Sequence, residues 1–186
     1  MEESNIKSDR KKVTDFLKGN SKVLEIDYRG SAMNASKYYH SIIFENPFKF
    51  YLKTFIIGIC YFLPAGEFKN FLYRKLGMKI GKEVFISGGV TMDLGFPQLI
   101  TIEDGTVIGQ GATIFAHEST ISKIRLGRVN IGKRTLIGIN SIIRSGVSIG
   151  DNAIVAIGSV VVHDVKNNEL VGGVPAKKIR KLSKPL

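Results

Sequence analysis

The chain has 186 residues, 44% hydrophobic and 23% charged, which fits one compact unit with an appendage and does not fit a disordered chain. A formal charge of +11 suits anionic partners: nucleic acid, acidic lipid or a phosphorylated ligand. The single cysteine, Cys60, excludes an intramolecular disulfide and any cysteine-built zinc or iron–sulfur site.

In chain order, the start Met1-Glu2-Glu3-Ser4-Asn5 is acidic and polar and does not read as a secretory leader. Together with the lone thiol it leads us to expect a reducing, cytoplasmic setting. Residues 1–45 are polar and weakly patterned, and no element is predicted there. Over 47–76 the spacing predicts two helices split by Pro64-Ala65-Gly66, the second with Phe68, Phe71, Leu72 and Leu76 at helical intervals. The most apolar run, 54–63, is ten residues long, whereas a membrane crossing needs about 20. It is expected to pack on the protein's own surface, and peripheral membrane contact through 48–63 is the less favoured alternative.

From Ile80 onward the pattern changes to a period of six. Ile131, Ile137, Ile143, Ile149, Val155 and Val161 recur at that spacing, and Gly132, Gly138, Gly150 and Ala156 follow four of them. Four residues after each aliphatic stands Thr135, Ser141, Val147, Ala153, Ser159 or Val165. Earlier blocks repeat this with Ile102, Ile108 and Ile114, and with Ile80 and Ile86. Six matches neither the helical nor the strand period. It matches a three-sided solenoid in which each hexapeptide is one flat side, the aliphatic pointing inward, the small residue near the corner and glycine supplying the turn. The predicted fold is therefore an all-β solenoid, a left-handed parallel β-helix over 78–186 with a basic C-terminal tail. Residues 1–77 form an N-terminal extension whose helices cap the first coil.

The phase breaks twice, at 93–97 and at 116–130, the latter holding His117, Glu118, Arg125 and Arg128. Repeat proteins place insertions on loops, frequently at the binding face, so chemistry is expected here. Of three histidines, His40 carries no signal and His163 sits in the last clear hexapeptide, whereas His117 stands at the mouth of the second insertion. Imidazole titrates near neutrality and suits a general base.

The segments 149–161 (IGDNAIVAIGSVV) and 173–180 (GVPAKKIR) resemble the hexapeptide-repeat acetyltransferases, the family of galactoside, maltose, chloramphenicol and streptogramin acetyltransferases. The likeness runs from about Met78 to Lys181, and the string 113–118 resembles the family segment carrying the catalytic histidine. The resemblance implies a homotrimer that moves acetyl from acetyl-CoA directly to a hydroxyl of a small molecule or glycan, with His117 as base. Asp93 and Glu118 are both candidates to orient it. It implies CoA contacts at Ile157 and Ser159, at Val162 and His163, where relatives carry Thr-Lys, and along Pro175, Lys177, Lys178 and Arg180. Arg144-Ser145 stands where relatives carry an apolar residue and proline. Cys60 lies in the most apolar segment and makes a poor acyl carrier.

Nucleic acid is not expected, because no aromatics interleave the basic string 177–181. A γ-class carbonic anhydrase on the same solenoid needs three metal-binding histidines, and only His117 and His163 fall in the repeats, so no metal site is expected. A non-catalytic scaffold is the remaining alternative.

Overall fold

The computed structural model describes residues 2–27, 41, 46–120 and 122–183. Successive short strands visit three parallel sheets in rotation. The first sheet holds β2 (Lys79–Ile80), β5 (Ile100–Ile102), β10 (Val129–Ile131) and β13 (Ser148–Ile149). The second holds β3 (Phe85–Ile86), β6 (Val107–Ile108), β11 (Leu136–Ile137), β14 (Ile154–Val155) and β16 (Glu169–Gly173). The third holds β4 (Thr91–Met92), β7 (Thr113–Ile114), β12 (Ile142–Ile143) and β15 (Val160–Val161).

Register stacks like on like: Ile80, Ile102, Ile131 and Ile149 in one column, Ile86, Ile108, Ile137, Val155 and Val171 in the next, Met92, Ile114, Ile143 and Val161 in the third. All are buried and line one continuous core. Burial of each such side chain is worth about 1.5–3 kcal/mol, which is why the inward slot takes only aliphatics and one methionine. Met92 keeps the phase, so the first interruption begins at Asp93. Val165 takes an inward-column position beside Ile149, where the sequence pattern assigned it to a corner.

The corners use two devices, and the expected turn glycine is only one of them. Three residues after most of the inward aliphatics the backbone turns left-handed, as at Asn140 (φ 57°) and Gly158 (φ 65°). The glycine directly after the aliphatic answers close approach instead: a Cβ on Gly138 would lie 2.6 Å from the amide nitrogen of Ile157. Corner hydroxyls are buried and satisfied, Thr135 Oγ1 donating to the Gly150 carbonyl at 2.8 Å and Ser141 Oγ to that of Ala156 at 3.0 Å.

Two further regions depart from expectation. Residues 1–45, read as unpatterned, contain α1 (Glu2–Lys18) and β1 (Val23–Asp27). The basic C-terminal string is not a tail but β17 (Ala176–Lys181), antiparallel to β16 on the second sheet.

The helices fall close to the predicted spans, as α2 (Pro47–Phe62) and α3 (Glu67–Lys75). Asn46 caps α2 by accepting from the Lys49 amide at 3.2 Å, with Pro47 at the first turn. Leu63-Pro64 ends it. α3 lies across the first coil: Asn70 Nδ2 donates to the Val84 carbonyl (2.7 Å), Lys69 Nζ to that of Ser87 (2.7 Å), and Arg74 to those of Ile80 and Gly81.

Candidate active site

Both interruptions of the repeat open from the same edge of the prism, the corner after the third sheet. The first leaves β4 as 93–96 followed by a 3₁₀ turn, Pro97–Leu99. The second leaves β7 and, where a loop was expected, forms β8 (His117–Ser119) and β9 (Lys123–Gly127), an antiparallel pair extended by β1. Arg128 anchors this sheet to α1, donating to the carbonyls of Phe16 (2.8 Å), Gly19 (2.8 Å) and Ser21 (3.1 Å) and stacking on the Phe16 ring. Arg125 pairs with Glu25 of β1 at 2.6 Å. These two arginines, which the sequence placed in a loop of chemical interest, fasten the N-terminal segment to the insertion.

Asp93 and His117 meet at this corner. The side chain of Asp93 is fully buried and that of His117 is 21% exposed. Asp93 Oδ2 accepts from His117 Nδ1 at 2.6 Å, and from the backbone amides of Ala116 (2.8 Å) and His117 (3.0 Å). Its Oδ1 accepts from the amides of Gly95 (2.9 Å) and Phe96 (2.7 Å). The Phe96 ring packs edge-on against the imidazole, 5.9 Å between centroids. Burial alone would raise the Asp93 carboxyl. The hydrogen bond and charge of His117 and the Phe96 and Ala116 amides outweigh it, and the group is held below the ordinary carboxylate range. An ionised carboxylate only accepts, so Nδ1–H is its fifth donor and Nε2 is the ring nitrogen turned away from Asp93.

Glu118, the second candidate to orient the histidine, points away. Consecutive strand residues face opposite sides. Its carboxylate takes Arg144 Nε at 3.0 Å to each oxygen and Ser145 Oγ at 2.6 Å. Burial would raise it, but Arg144 and Ser145 together hold it low. The unusual Arg144-Ser145 pair thus neutralises and fixes Glu118, a role the sequence did not reveal. The amides of Gly95 and Phe96 were also missed, although Asp93-Leu94-Gly95 is the signature of an Asx turn.

The residues expected to hold CoA lie elsewhere on the chain. Ile157, 75% exposed, and Ser159 stand at the corner between the second and third sheets. Ser159 is buried, its hydroxyl donating to the Ala156 carbonyl (2.7 Å) and accepting from the Gly173 amide (3.3 Å). Val162 is half-buried and His163 exposed, on the His117 corner but two coils further on. Pro175 sits in the exposed turn joining β16 to β17. Lys177 and Arg180 are exposed on β17, while Lys178 pairs with Glu169 at 2.8 Å. Within one chain, His117 and Ile157 therefore occupy different corners. Two open grooves, about 350 and 580 Å³, run past Arg74 and Gly81 along α3, away from His117.

Cys60 is buried and burial raises its thiol, which keeps it unreactive. Among the described residues no three His, Cys, Asp or Glu side chains are placed to share a metal ion. His40 lies outside the described residues.

Comparison with known proteins adds four findings. Residues 128–162 match the model for the hexapeptide repeat of succinyl-transferase. A candidate acetyltransferase of Bacillus subtilis (strain 168), YvoF, is 42% identical over 135 residues, covering 72% of this chain and 78% of its own. The hexapeptide-repeat-containing acetyltransferase VCA0836 from Vibrio cholerae O1 biovar eltor, solved with acetyl coenzyme A, superposes with a TM-score of 0.63 at 25% identity, over 76% of this chain and 91% of that one. A galactoside acetyltransferase in complex with coenzyme A shares the fold, with a TM-score of 0.60 at 20% identity over 74% and 82%.

Proposed function

The chain belongs to the hexapeptide-repeat acetyltransferase family, and from that premise we propose that it is an O-acetyltransferase using acetyl-CoA, with His117 as base and Asp93 as its orienting carboxylate. The observation that carries this reading is the 2.6 Å contact between His117 Nδ1 and a buried Asp93 that also accepts from four backbone amides. Such a carboxylate fixes the ring and its tautomer and stabilises the imidazolium that forms. Nε2 takes the proton of an acceptor hydroxyl as its oxygen attacks the thioester carbonyl. The imidazolium then returns that proton to the departing CoA thiolate. General-base help of this kind is worth about 10²–10⁴ in rate. The acceptor is a small molecule or sugar.

Acetyl-CoA, as substrate, would lie along the corner carrying Ile157. Exposed Lys177 and Arg180 suit its phosphates, with Pro175, Val162 and His163 alongside, and Lys178 contributes less because Glu169 already holds it. Ser159, with its hydroxyl turned inward, would contribute backbone only. Because His117 and Ile157 occupy different corners, a complete site needs a neighbouring copy. The outer face of the second sheet supports such assembly into a homotrimer: Phe85, Val107 and Leu136 are 51%, 37% and 36% exposed there, whereas the first sheet presents Lys79, Thr101, Asn130 and Ser148 outward. We take the coil to wind left-handed, with 1–77 as an extension across its first turn and 78–186 as the acetyltransferase domain.

The test is calorimetric titration with acetyl-CoA, followed by CoA release over a panel of sugar hydroxyl acceptors for wild type and His117→Ala. Saturable binding, with turnover lost only in the variant's chemical step, is the expected result. No binding at millimolar acetyl-CoA would leave a scaffold, and turnover surviving in His117→Ala would remove the histidine from its role.

A further inference from the structure

Helix α2 is apolar on both sides. Ile57 and Cys60 are buried against the protein, whereas Phe48, Tyr51, Leu52, Phe55, Ile59 and Phe62 are between 41% and 84% exposed. At about 100° per residue these six fall within roughly a 100° arc centred opposite Ile57. A solvent-facing helix side is ordinarily polar, so this stripe needs a second partner. The neighbouring α3 adds Phe68 and Phe71, 66% and 48% exposed, with Lys75 lying over the Phe71 ring at 5.3 Å.

The charge around the stripe says which partner fits. Helix α2 contains no Asp or Glu; its Lys49 is exposed beside the apolar arc, Lys53 is half-buried toward the Ile57 side, and Lys75 of α3 is exposed over the Phe71 ring. The whole chain carries +11. A second copy brought against this face would set the same lysines and the same net charge against it. An anionic bilayer complements both features, taking aromatic side chains at the acyl boundary and cations at lipid phosphate. Sixteen residues of helix span about 24 Å, short of the roughly 30 Å hydrocarbon core, and no helix among the described residues is long and apolar enough to cross.

We propose that α2, with the exposed edge of α3, docks the protein onto an anionic membrane surface, lying in the interface with its Phe48–Phe55–Phe62 stripe inserted and Lys49 and Lys75 at the headgroups. The inference does not depend on the acetyl-transfer reading.

The full chain is sedimented with vesicles of equal parts phosphatidylcholine and phosphatidylglycerol, with phosphatidylcholine alone, and without lipid. Three variants run beside it: Phe48→Ser/Phe55→Ser/Phe62→Ser, the milder Phe62→Ser, and Lys49→Glu/Lys75→Glu. All targets lie outside the core, and circular dichroism checks the fold. Wild type is expected to pellet with the anionic vesicles only. Its partition should fall at least about tenfold in the triple serine variant, and severalfold in the charge reversal or at high salt. Wild type left in the supernatant overturns the proposal, as does a folded triple variant, or a single one if the triple does not fold, that partitions like wild type. Absence of vesicle binding with a smaller particle for the serine variant would assign the stripe to contact between copies.

Discussion

Asp93→Asn tests the geometry of the corner independently of any acceptor. The carboxylate receives five hydrogen bonds, three on Oδ2 and two on Oδ1. The amide keeps one oxygen, so in either orientation at least two buried N–H groups face a donor. At about 1–3 kcal/mol for each unsatisfied donor, the native state should lose about 2–6 kcal/mol at neutral pH. The pH dependence carries the sign. Asp93 is depressed in the folded state, so its contribution is fully present above the unfolded value near 3.9 and is lost as pH falls through the lower folded value. Urea denaturation from neutral pH down to about pH 3 should therefore show the gap between wild type and variant narrowing only at the acid end. A gap below about 1 kcal/mol at neutral pH, or one that stays constant over the range, would refute the assignment of an ionised Asp93 to these donors.

Arg128→Ala removes the clamp on the carbonyls of Phe16, Gly19 and Ser21. It should cost about 1–3 kcal/mol locally, read as faster hydrogen exchange in α1 and β1 while coil amides stay protected. The two glycine devices separate by mutation. Gly158→Ala meets no atom within 4 Å and should cost only the left-handed strain, about 1–2 kcal/mol. Gly138→Val drives a side chain into the Ile157 backbone and should cost more than about 3 kcal/mol or prevent soluble expression. In acetyl-CoA titrations, Lys177→Ala/Arg180→Ala should weaken binding about tenfold, and Lys178→Ala less, because Glu169 already pairs with it.

How far the molecule was legible in its residues depends on the range of each constraint. The coil was readable because the inward slot accepts only aliphatic side chains, and stacking repeats that demand every six residues. Counting Met92 as an occupant of the slot also puts both interruptions after a third hexapeptide, hence at one edge. His117 was readable as a candidate base at an insertion. Which of its two candidate partners faces it was not: Glu118 is adjacent in sequence and Asp93 is 24 residues away, yet strand alternation turns Glu118 toward Arg144 while stacking of successive coils delivers Asp93. The segment before residue 46 was least legible. Val13 and Phe16 do carry helical spacing, but β1 has as its partner Lys123–Gly127, about a hundred residues on. Similarly, the basic string 177–181 reads as a tail until its pairing with β16 is known. The sequence by itself determined the period and the core column and singled out His117 as the candidate base, because each answers a local demand for burial or proton affinity. Only the tertiary structure decided which carboxylate faces the imidazole, which arginines are fasteners and which face of α2 is left uncovered, because these depend on what distant segments bring to the same place.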